Sequence, residues 1–533
     1  MPSRRLTIYL MSEAVASIEE AINADKAATH VELNGSAGLE GRFLYATTPA
    51  LVPSWVNFLQ PVLAEEVTNV RSASASGLLL LKTSGRVFAL TFGYGRSLLD
   101  LSKIEHQFGL RVALNRIDPR QIRSLDKKTF EDIVVTTNTQ ASRSAELPVF
   151  GVDISTDILR AVTGEPRDQG LAKRLSGADA LVLSLETTAS DLPGICDDLL
   201  SAFGEDAYKA DFAWIDQLAL VRRGDVIDAL DGQLVAQLRA GDTSTTHLAM
   251  PESIGWEDVD EFRIGGTRTQ VYDDLDLDLY LLRLGGKVAE LTIDQLKSRR
   301  VSVRFTRSQS FDVRWTLYQC VVTEQRLHDE LYALIEGRWF RVSRSLVEEV
   351  DAFLSTIEEP RVTLGPATSG EQEGDYNARM AAAAPQELIC FDARIKRPGG
   401  AASGIELCDL LSSDGEFVHV KRKARSSTLS HLFAQGSVSA TTFLSDGPFR
   451  AALRAHIVDN VEPASRDRWL ALIPPDGDPI DRASYRVTYA VLANSDRQGL
   501  DWLPFFSKLN LVQNARQIAN LGLPVSITRV PVE

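Results

Sequence analysis

The sequence predicts a mixed α/β (α+β) protein that is divided into several domains, and three observations lead to this prediction. The chain has 533 residues, whereas a single hydrophobic core rarely grows beyond about 250–300 residues. Stretches with the two-residue alternation of strands occur between stretches with the spacing of amphipathic helices. Polar, turn-rich segments at residues 136–146 and 363–376 break the chain. We therefore predict an N-terminal α/β domain (residues 1–140), an acidic middle α+β region (147–360) and a C-terminal domain (373–533).

Composition excludes several classes of protein. Hydrophobic residues make up 44% and charged residues 24% of the chain, as in ordinary globular proteins. The four cysteines form no Cys-x-x-Cys pair, which argues against a zinc ribbon or a disulfide framework and fits a reducing cytosol. The first residues, MPSRRLTIYL, lack the apolar core of a signal peptide. We expect a cytoplasmic protein with no membrane segment.

The charge is distributed unevenly. The net charge of −15 argues against a general nucleic-acid coat. From residue 361 to the C-terminus, however, 19 basic residues balance 19 acidic ones, so the preceding 360 residues carry the whole excess, with 38 basic and 53 acidic residues. The neutral C-terminal region can therefore still approach phosphate groups.

The N-terminal region contains a predicted hairpin over residues 77–92, with Ser84 and Gly85 in its turn. Gly93 and Gly95 follow the second strand. Closely spaced glycines after a strand can bind phosphate through exposed backbone N–H groups. The sequence lacks both the third glycine of a dinucleotide site and a Gly-Lys-Ser/Thr motif. A nucleotide-sensing N-terminal domain is therefore the least favoured of the functions that we consider.

The middle region is the most acidic part of the chain. In DDLDLDLYLL (residues 273–282), Asp274, Asp276 and Asp278 alternate with leucines, and this alternation predicts a half-buried strand with one solvated face. The carboxylate spacing does not match a calcium-binding loop. A basic strand around Arg304 either contacts nucleic acid or, as we favour, pairs with this acidic strand.

The C-terminal region gives the most consistent local signals. Helix formers precede Pro385, and three alternating stretches are separated by turn residues before a serine-capped apolar helix. The predicted order is helix, three strands, helix and a later strand, at residues 373–384, 387–396, 405–411, 417–423, from Ser426 or Ser427 onward, and 485–493.

Polar residues occupy the predicted strands of this region. His419 and Lys421 share one strand face because side chains two residues apart point the same way. A charged lysine is costly to bury without a partner, so we expect both to face a polar pocket. On the preceding strand, a bulge or the end of the strand would let Glu406 and Asp409 reach the same site. Further candidates are Asp392 on the first strand, and His431 and Gln435 on one face of the helix.

This order of elements resembles the core of the PD-(D/E)XK nuclease superfamily, which is a restriction-endonuclease-like αβββαβ fold. The resemblance implies a Mg²⁺- or Mn²⁺-dependent nuclease in which Asp409 is the first acidic ligand and Lys421 the catalytic lysine. It implies a helical acid at Glu373 and a helical glutamine at Gln435. His419 stands where the superfamily has an acid. The predicted catalytic residues are thus Asp409, His419, Lys421 and Gln435, and the predicted metal ligands are Asp409, Glu406, Glu373 and His419.

The histidine leaves several alternatives open. Imidazole is a poor ligand for Mg²⁺ and a better one for Mn²⁺ or softer metals. His419 could instead be a general base, belong to a catalytically inactive site that only binds, or be a core histidine satisfied by a neighbour. Beyond it, Arg422, Lys423 and Arg425 would contact phosphates where the strand ends and a helix N-terminus begins; the alternative for this run is a solvated strand end.

The whole chain resembles an uncharacterised, sporadically distributed bacterial family that is met among mobile and phage-defence genes. The strings that carry this resemblance include QGLAKRLSGADALVLS, LHDELYALIEGRWFRVS and HVKRK…SSTLSHLFAQGSVSA. This resemblance implies a role in phage defence and no particular chemistry. Together with the nuclease-like C-terminal region, it leads to the hypothesis of an anti-phage protein that cuts or binds DNA or RNA, with partner defence proteins and a homo-oligomeric state as further expectations. The rival hypothesis is a non-catalytic scaffold that binds nucleic acid or a phage protein and recruits an effector.

Overall fold

The computed structural model describes residues 3–34, 39–130, 134–150, 152, 157–168, 172–251, 259–267, 270–305, 311–391, 405–423, 427–495 and 497–533. The protein has the predicted mixed α/β character. It divides into two compact units: Met1–Lys128 with Thr136–Ile215, and Thr129–Val135 with Asp216–Glu533. Within the described residues, no helix combines the length and apolarity needed to span a bilayer.

The described part of the first unit is built on one large sheet. Its strands are β1 (Ser3–Leu10), β2 (Thr29–Glu32), β3 (Gly41–Thr47), β4 (Ala75–Thr83), β5 (Arg86–Gly93), β6 (Ile117–Phe130), β7 (Val134–Ala145), β8 (Asp157–Pro166), β9 (Leu175–Gly177) and β10 (Leu181–Glu186). They lie in the order β2-β3-β4-β5-β1-β10-β9-β8-β6-β7. The α-helices are α1 (Ser54–Leu59), α2 (Phe108–Arg116), α3 (Leu192–Gly204) and α4 (Lys209–Phe212). Since β1 pairs with both β5 and β10, this unit extends beyond the predicted boundary near residue 140.

The predicted hairpin is present as β4 and β5. Its turn places Ser84 at φ 47° and Gly85 at φ 74°, the left-handed pair that matches the twist of two paired strands. Gly95 packs so closely against β4 that a Cβ atom there would lie 1.8 Å from the carbonyl oxygen of Gly77. The close approach of two backbones therefore explains a glycine at position 95 without a bound phosphate.

The second unit begins with two antiparallel sheets. Its first elements are β11 (Leu218–Leu220), α5 (Gly224–Arg239), β12 (Thr246–Leu248), β13 (Val259–Ile264), α6 (Leu277–Leu284), α7 (Ile293–Ser298), β14 (Arg300–Phe305), β15 (Phe311–Thr316), α8 (Leu317–Cys320), β16 (Val321–Leu327), β17 (Glu330–Ile335), β18 (Arg338–Val342) and α9 (Arg344–Leu354). The strand orders are β11-β18-β17-β16-β12 and β13-β14-β15. Arg304 forms ion pairs with Asp260 at 2.8 Å and Glu261 at 2.9 Å, which lie on β13 and not in the acidic stretch 273–282 that we expected as its partner.

The acidic strand predicted over residues 273–282 is wrong. Helix α6 occupies the second half of this stretch, and the Asp276 carboxylate caps it by accepting a hydrogen bond from Leu279 N–H at 2.9 Å. Leu277, Tyr280 and Leu284 on this helix are buried, with the spacing of a helix face. Asp276 therefore caps the start of a helix instead of belonging to one face of a strand.

The C-terminal part of this unit has a five-stranded sheet within the described residues. Its elements are α10 (Glu373–Ala383), β19 (Leu388–Cys390), β20 (Leu410–Ser412), β21 (Glu416–Arg422), α11 (Ser427–Ser445), α12 (Gly447–Asn460), α13 (Arg466–Ala471), β22 (Arg486–Leu492), α14 (Phe505–Asn520) and β23 (Val525–Val530). The strand order is β19-β20-β21-β22-β23. β19, β20 and β21 pair antiparallel, whereas β21, β22 and β23 run parallel. The predicted helix at 373–384 and the predicted strands at 417–423 and 485–493 are present as α10, β21 and β22, although α12 and α13 lie between α11 and β22. The strand predicted at 405–411 is β20, which begins only at Leu410, and residues 392–396 of the strand predicted at 387–396 lie outside the described residues.

Helices cover the two faces of this sheet differently. On one face, Tyr376 and Met380 of α10 share a hydrophobic cluster with Val418 and Val420 of β21. On the other face, α11 contacts β21, β22 and α14. Alternate side chains of β21 therefore point toward α10 or toward α11, and this alternation positions the candidate site.

Candidate functional site

The site lies where β21 extends beyond its neighbour β20. β20 pairs with β21 at Leu410–Val418 and Leu411–Phe417, so the last residues of β21 lack a β20 partner on that edge. Side-chain carboxylates replace the missing carbonyls there. Asp409 Oδ2 accepts a hydrogen bond from Val420 N–H at 2.8 Å, and Glu373 Oε1 accepts one from Arg422 N–H at 3.0 Å. Two residues along a strand span roughly 6–7 Å, which sets the spacing of these two N–H groups.

Lys421 lies between these two backbone groups. Its Nζ donates a hydrogen bond to Glu373 Oε2 at 2.8 Å, and the two side chains remain 28% and 34% exposed. We call Glu373, Asp409 and Lys421 the strand-end site. It joins the end of one strand, the residue before a second and the first residue of α10, and it is open to solvent at the ion pair.

A network of hydrogen bonds fixes the segment that presents Glu373. The Glu371 carboxylate accepts hydrogen bonds from Thr368 N–H at 2.8 Å and from Arg379 at 2.7 and 2.8 Å. The Arg379 guanidinium, followed by the Thr368 N–H, lowers the pKa of Glu371 to about 2. Arg422 Nη2 donates to the carbonyl oxygens of Thr368 and Glu371 at 3.0 and 2.8 Å. These bonds hold the N-terminus of α10 against the end of β21.

Sequence reasoning missed Glu371 and Arg379. Both fall at the junction between the polar linker and the helix, where an acid and an arginine eight residues apart have no recognisable spacing. The bidentate geometry becomes visible only when the chain folds back at the start of α10.

His419 points to the opposite face of the sheet from Val420, toward α11. It is 2% exposed, and its Nε2 lies 3.2 Å from Ser439 Oγ. The Ser439 hydroxyl donates its proton to the carbonyl of Gly436, so Nε2 of the imidazole is the donor. Burial lowers the pKa of His419 to about 4. These contacts are those of a neutral core histidine that is satisfied by a neighbour. They give no support to His419 as a metal ligand or a general base.

Other predicted residues do not complete a metal centre. Glu406, before β20, and Gln435, on α11, are half-buried, and His431 is exposed. Within the described ranges, no three His, Cys, Asp or Glu side chains come together in a way that could hold a metal ion. Asp392 lies outside the described residues.

The predicted phosphate-binding residues have intramolecular partners. Lys423 Nζ donates to the Trp502 carbonyl at 2.9 Å and lies 5.9 Å from the centre of the Trp502 ring. Arg422 holds the Thr368 and Glu371 carbonyls, as described above. Arg425 lies outside the described residues. Phosphate contact by Arg422 or Lys423 would therefore compete with bonds that stabilise the end of β21.

A family comparison covers almost the whole molecule. A sequence model described as a family of unknown function (DUF6119) matches residues 6–531. The chain belongs to this DUF6119 family. No curated protein and no solved structure matches it. Membership extends across both compact units of the DUF6119 protein and assigns no activity to either.

Proposed function

We propose that the C-terminal part of this DUF6119 protein acts on nucleic acid by metal-assisted hydrolysis of phosphodiester bonds. The observation that carries the proposal is the strand-end site, in which Glu373 pairs with Lys421 across 48 residues. Glu373 also accepts a hydrogen bond from the Arg422 N–H, and Asp409 accepts one from the Val420 N–H, on the same edge of β21. The order α10, β19 to β21, α11 and, after α12 and α13, β22 supports the likeness to PD-(D/E)XK nucleases. An acid directly before β20 and a lysine on the adjacent β21 support it as well. Anti-phage defence is the biological role that we propose, on the whole-chain resemblance.

The donor set fits a small hard cation. Mg²⁺ is commonly held by one or two carboxylates, with waters and substrate phosphates filling its other positions, and Glu373 and Asp409 supply two carboxylates. When bound, Mg²⁺ or Mn²⁺ would lower the pKa of a water molecule and offset charge on the phosphate. The chain's own contribution is to hold the carboxylates through backbone N–H groups and to keep the Lys421 ammonium beside them, where it orients a water or offsets developing negative charge.

A non-catalytic scaffold is the second candidate, and two observations favour it. Lys421 is already paired with Glu373, and the described residues offer two strand-end carboxylates but no cluster of three potential ligands. Such a domain would bind nucleic acid or a phage protein and recruit a partner, and its binding to nucleic acid would weaken as salt is raised.

Nuclease assays on the purified full-length protein separate the two candidates. Plasmid, single-stranded DNA and RNA are incubated with Mg²⁺ or Mn²⁺ and the wild type, Lys421→Ala, Asp409→Asn or Glu373→Gln. Asp375→Asn is the matched control, because Asp375 is an exposed acid in the same helical turn as Glu373. We expect metal-dependent cleavage by the wild type and the control, and a loss of at least about 100-fold in the three site variants. Cleavage that survives in all three would exclude this site from the chemistry.

The same preparations also report on the scaffold. No cleavage by the wild type, together with salt-sensitive binding, would support the scaffold and refute hydrolysis. A plaque assay with cells that express the wild type or Lys421→Ala then tests the defence role: protection lost with Lys421 supports a defence function that depends on the site, and no protection by the wild type would refute the role.

A further inference from the structure

Asn377 is a buried polar residue on the sheet-facing side of α10. Glu373, Tyr376, Asn377 and Met380 occupy positions i, i+3, i+4 and i+7, which form one face of a helix. Tyr376 and Met380 pack in the hydrophobic cluster beneath the sheet. Asn377 is 1% exposed, and its Oδ1 atom has no hydrogen-bond partner among the described residues. An amide thus occupies a position where packing alone would favour an apolar side chain.

An unpartnered buried carbonyl requires an explanation, because buried polar groups in folded proteins are nearly always satisfied. Asn377 lies one helical turn from Glu373, and side chains four residues apart on a helix are neighbours. α10 also packs against β19 and β21, and Phe391, directly after β19, donates its N–H to the Asp409 carbonyl at 2.8 Å. Asn377 is therefore one turn along α10 from Glu373, on a helix that packs against β21, and the Val420 N–H of that strand binds the Asp409 carboxylate.

We infer that Asn377 is a third oxygen ligand of the strand-end site and that its Oδ1 coordinates the divalent cation directly or through one bound water. Amide oxygens are hard donors of the kind that Mg²⁺ and Mn²⁺ accept beside carboxylates. The inference rests on the proposed function for the position of the cation, and it adds a ligand that no carboxylate, thiol or imidazole pattern would reveal. The rival explanation is a structural water shared with Arg422, whose Nε is also buried without a hydrogen-bond partner in the described structure.

Mn²⁺ binding to the full-length protein, without nucleic acid, tests the inference. Binding is measured by electron paramagnetic resonance or calorimetry for the wild type, Asn377→Leu and Asn377→Asp, with Asp375→Asn as the control. We expect Asn377→Leu to weaken Mn²⁺ affinity roughly tenfold or more. We expect Asn377→Asp to bind at least as tightly as the wild type and Asp375→Asn to be unchanged. The thermal unfolding midpoint in EDTA should not fall in Asn377→Leu, because the substitution removes an unsatisfied amide from an apolar environment.

Unchanged Mn²⁺ affinity in Asn377→Leu would overturn the inference, and so would a wild type that binds no Mn²⁺. If Asn377→Leu fails to fold, Asn377→Asp decides, because a weaker affinity in that variant would also overturn it. The outcomes that refute the proposed function differ from those that refute the Asn377 assignment. If wild-type affinity depends on Asn377 but no substrate is cut, the ligand assignment stands and hydrolysis is refuted. If the wild type cuts and Asn377→Leu binds Mn²⁺ normally, hydrolysis stands and Asn377 is only structural.

Discussion

Replacing His419 by Gln should remove a pH-dependent part of the stability of the C-terminal sheet. The imidazole is buried between β21 and α11, donates to Ser439 and has a folded-state pKa of about 4. The ordinary pKa of 6.5 describes the unfolded chain, which exposes the ring to water. Between these values the unfolded state binds the proton and the folded state does not. The stabilising contribution is therefore complete above about pH 6.5 and is lost as the pH falls toward 4.

The size of the effect follows from the two pKa values. Each unit of difference corresponds to about 1.36 kcal/mol, so a fall from about 6.5 to about 4 removes about 3 kcal/mol of unfolding free energy. His247 contributes in the same window, because burial also lowers its pKa to about 4. As the pH falls toward 4, His419 and His247 together should therefore lower the unfolding free energy of the wild type by about twice as much as His419 alone.

Urea unfolding followed by tryptophan fluorescence, at several pH values between about 7 and about 4.5, measures this dependence. Between these pH values, the unfolding free energy of His419→Gln should fall less than that of the wild type, and the difference should be most of the 3 kcal/mol. His431→Gln, which changes an exposed histidine on α11, should follow the wild type. The same pH dependence in wild type and His419→Gln would refute the buried neutral histidine and reopen the ligand and general-base alternatives.

Three further predictions concern positions where the chain has little freedom. Glu416→Ala should lower the unfolding free energy by about 3–5 kcal/mol in urea titrations, because the carboxylate is 0% exposed and accepts two backbone hydrogen bonds; a loss below about 1 kcal/mol would contradict this. Gly95→Ala should abolish folding of the first unit, judged by limited proteolysis, because the new Cβ overlaps the Gly77 carbonyl, whereas Gly85→Ala in the open turn should cost only about 1–2 kcal/mol. Asp276→Ala should cost about 1 kcal/mol through loss of the α6 cap, and Asp276→Ser should restore most of it in the same denaturant titration.

Much of the C-terminal fold could be predicted because its local signals agree with its tertiary environment. Helix α10 ends just before Pro385, as a helix followed by proline should. The predicted strand at 417–423 appears as Glu416–Arg422 and the one at 485–493 as Arg486–Leu492. Both strands are buried in the middle of the sheet, where apolar side chains extend along the whole segment and flanking turns set the limits.

The alternation of residues 273–282 misled the prediction because it satisfies two periods at once. Leucines at every second position mark a strand face, yet Leu277, Tyr280, Leu281 and Leu284 also form a helix face. Asp276 favours the helix because its carboxylate accepts a hydrogen bond from the N–H of Leu279. In a strand, that N–H would bond to a neighbouring strand. A short polar residue before an apolar run is a helix-cap signal, and here it outweighs the alternation.

The same reasoning explains why His419 and Lys421 have different surroundings although alternation assigns both to one side of β21. Face and depth are separate properties of a strand residue. His419 lies midway along β21, opposite Tyr489 of the adjacent strand β22, and α11 covers it. Lys421 is two residues nearer the end, where β20 no longer pairs, and its flexible stem carries the ammonium to Glu373 on α10. Sequence periodicity assigns the face, but only the stagger between neighbouring strands, set by where β20 begins, decides which of the two polar groups reaches solvent and can take part in chemistry.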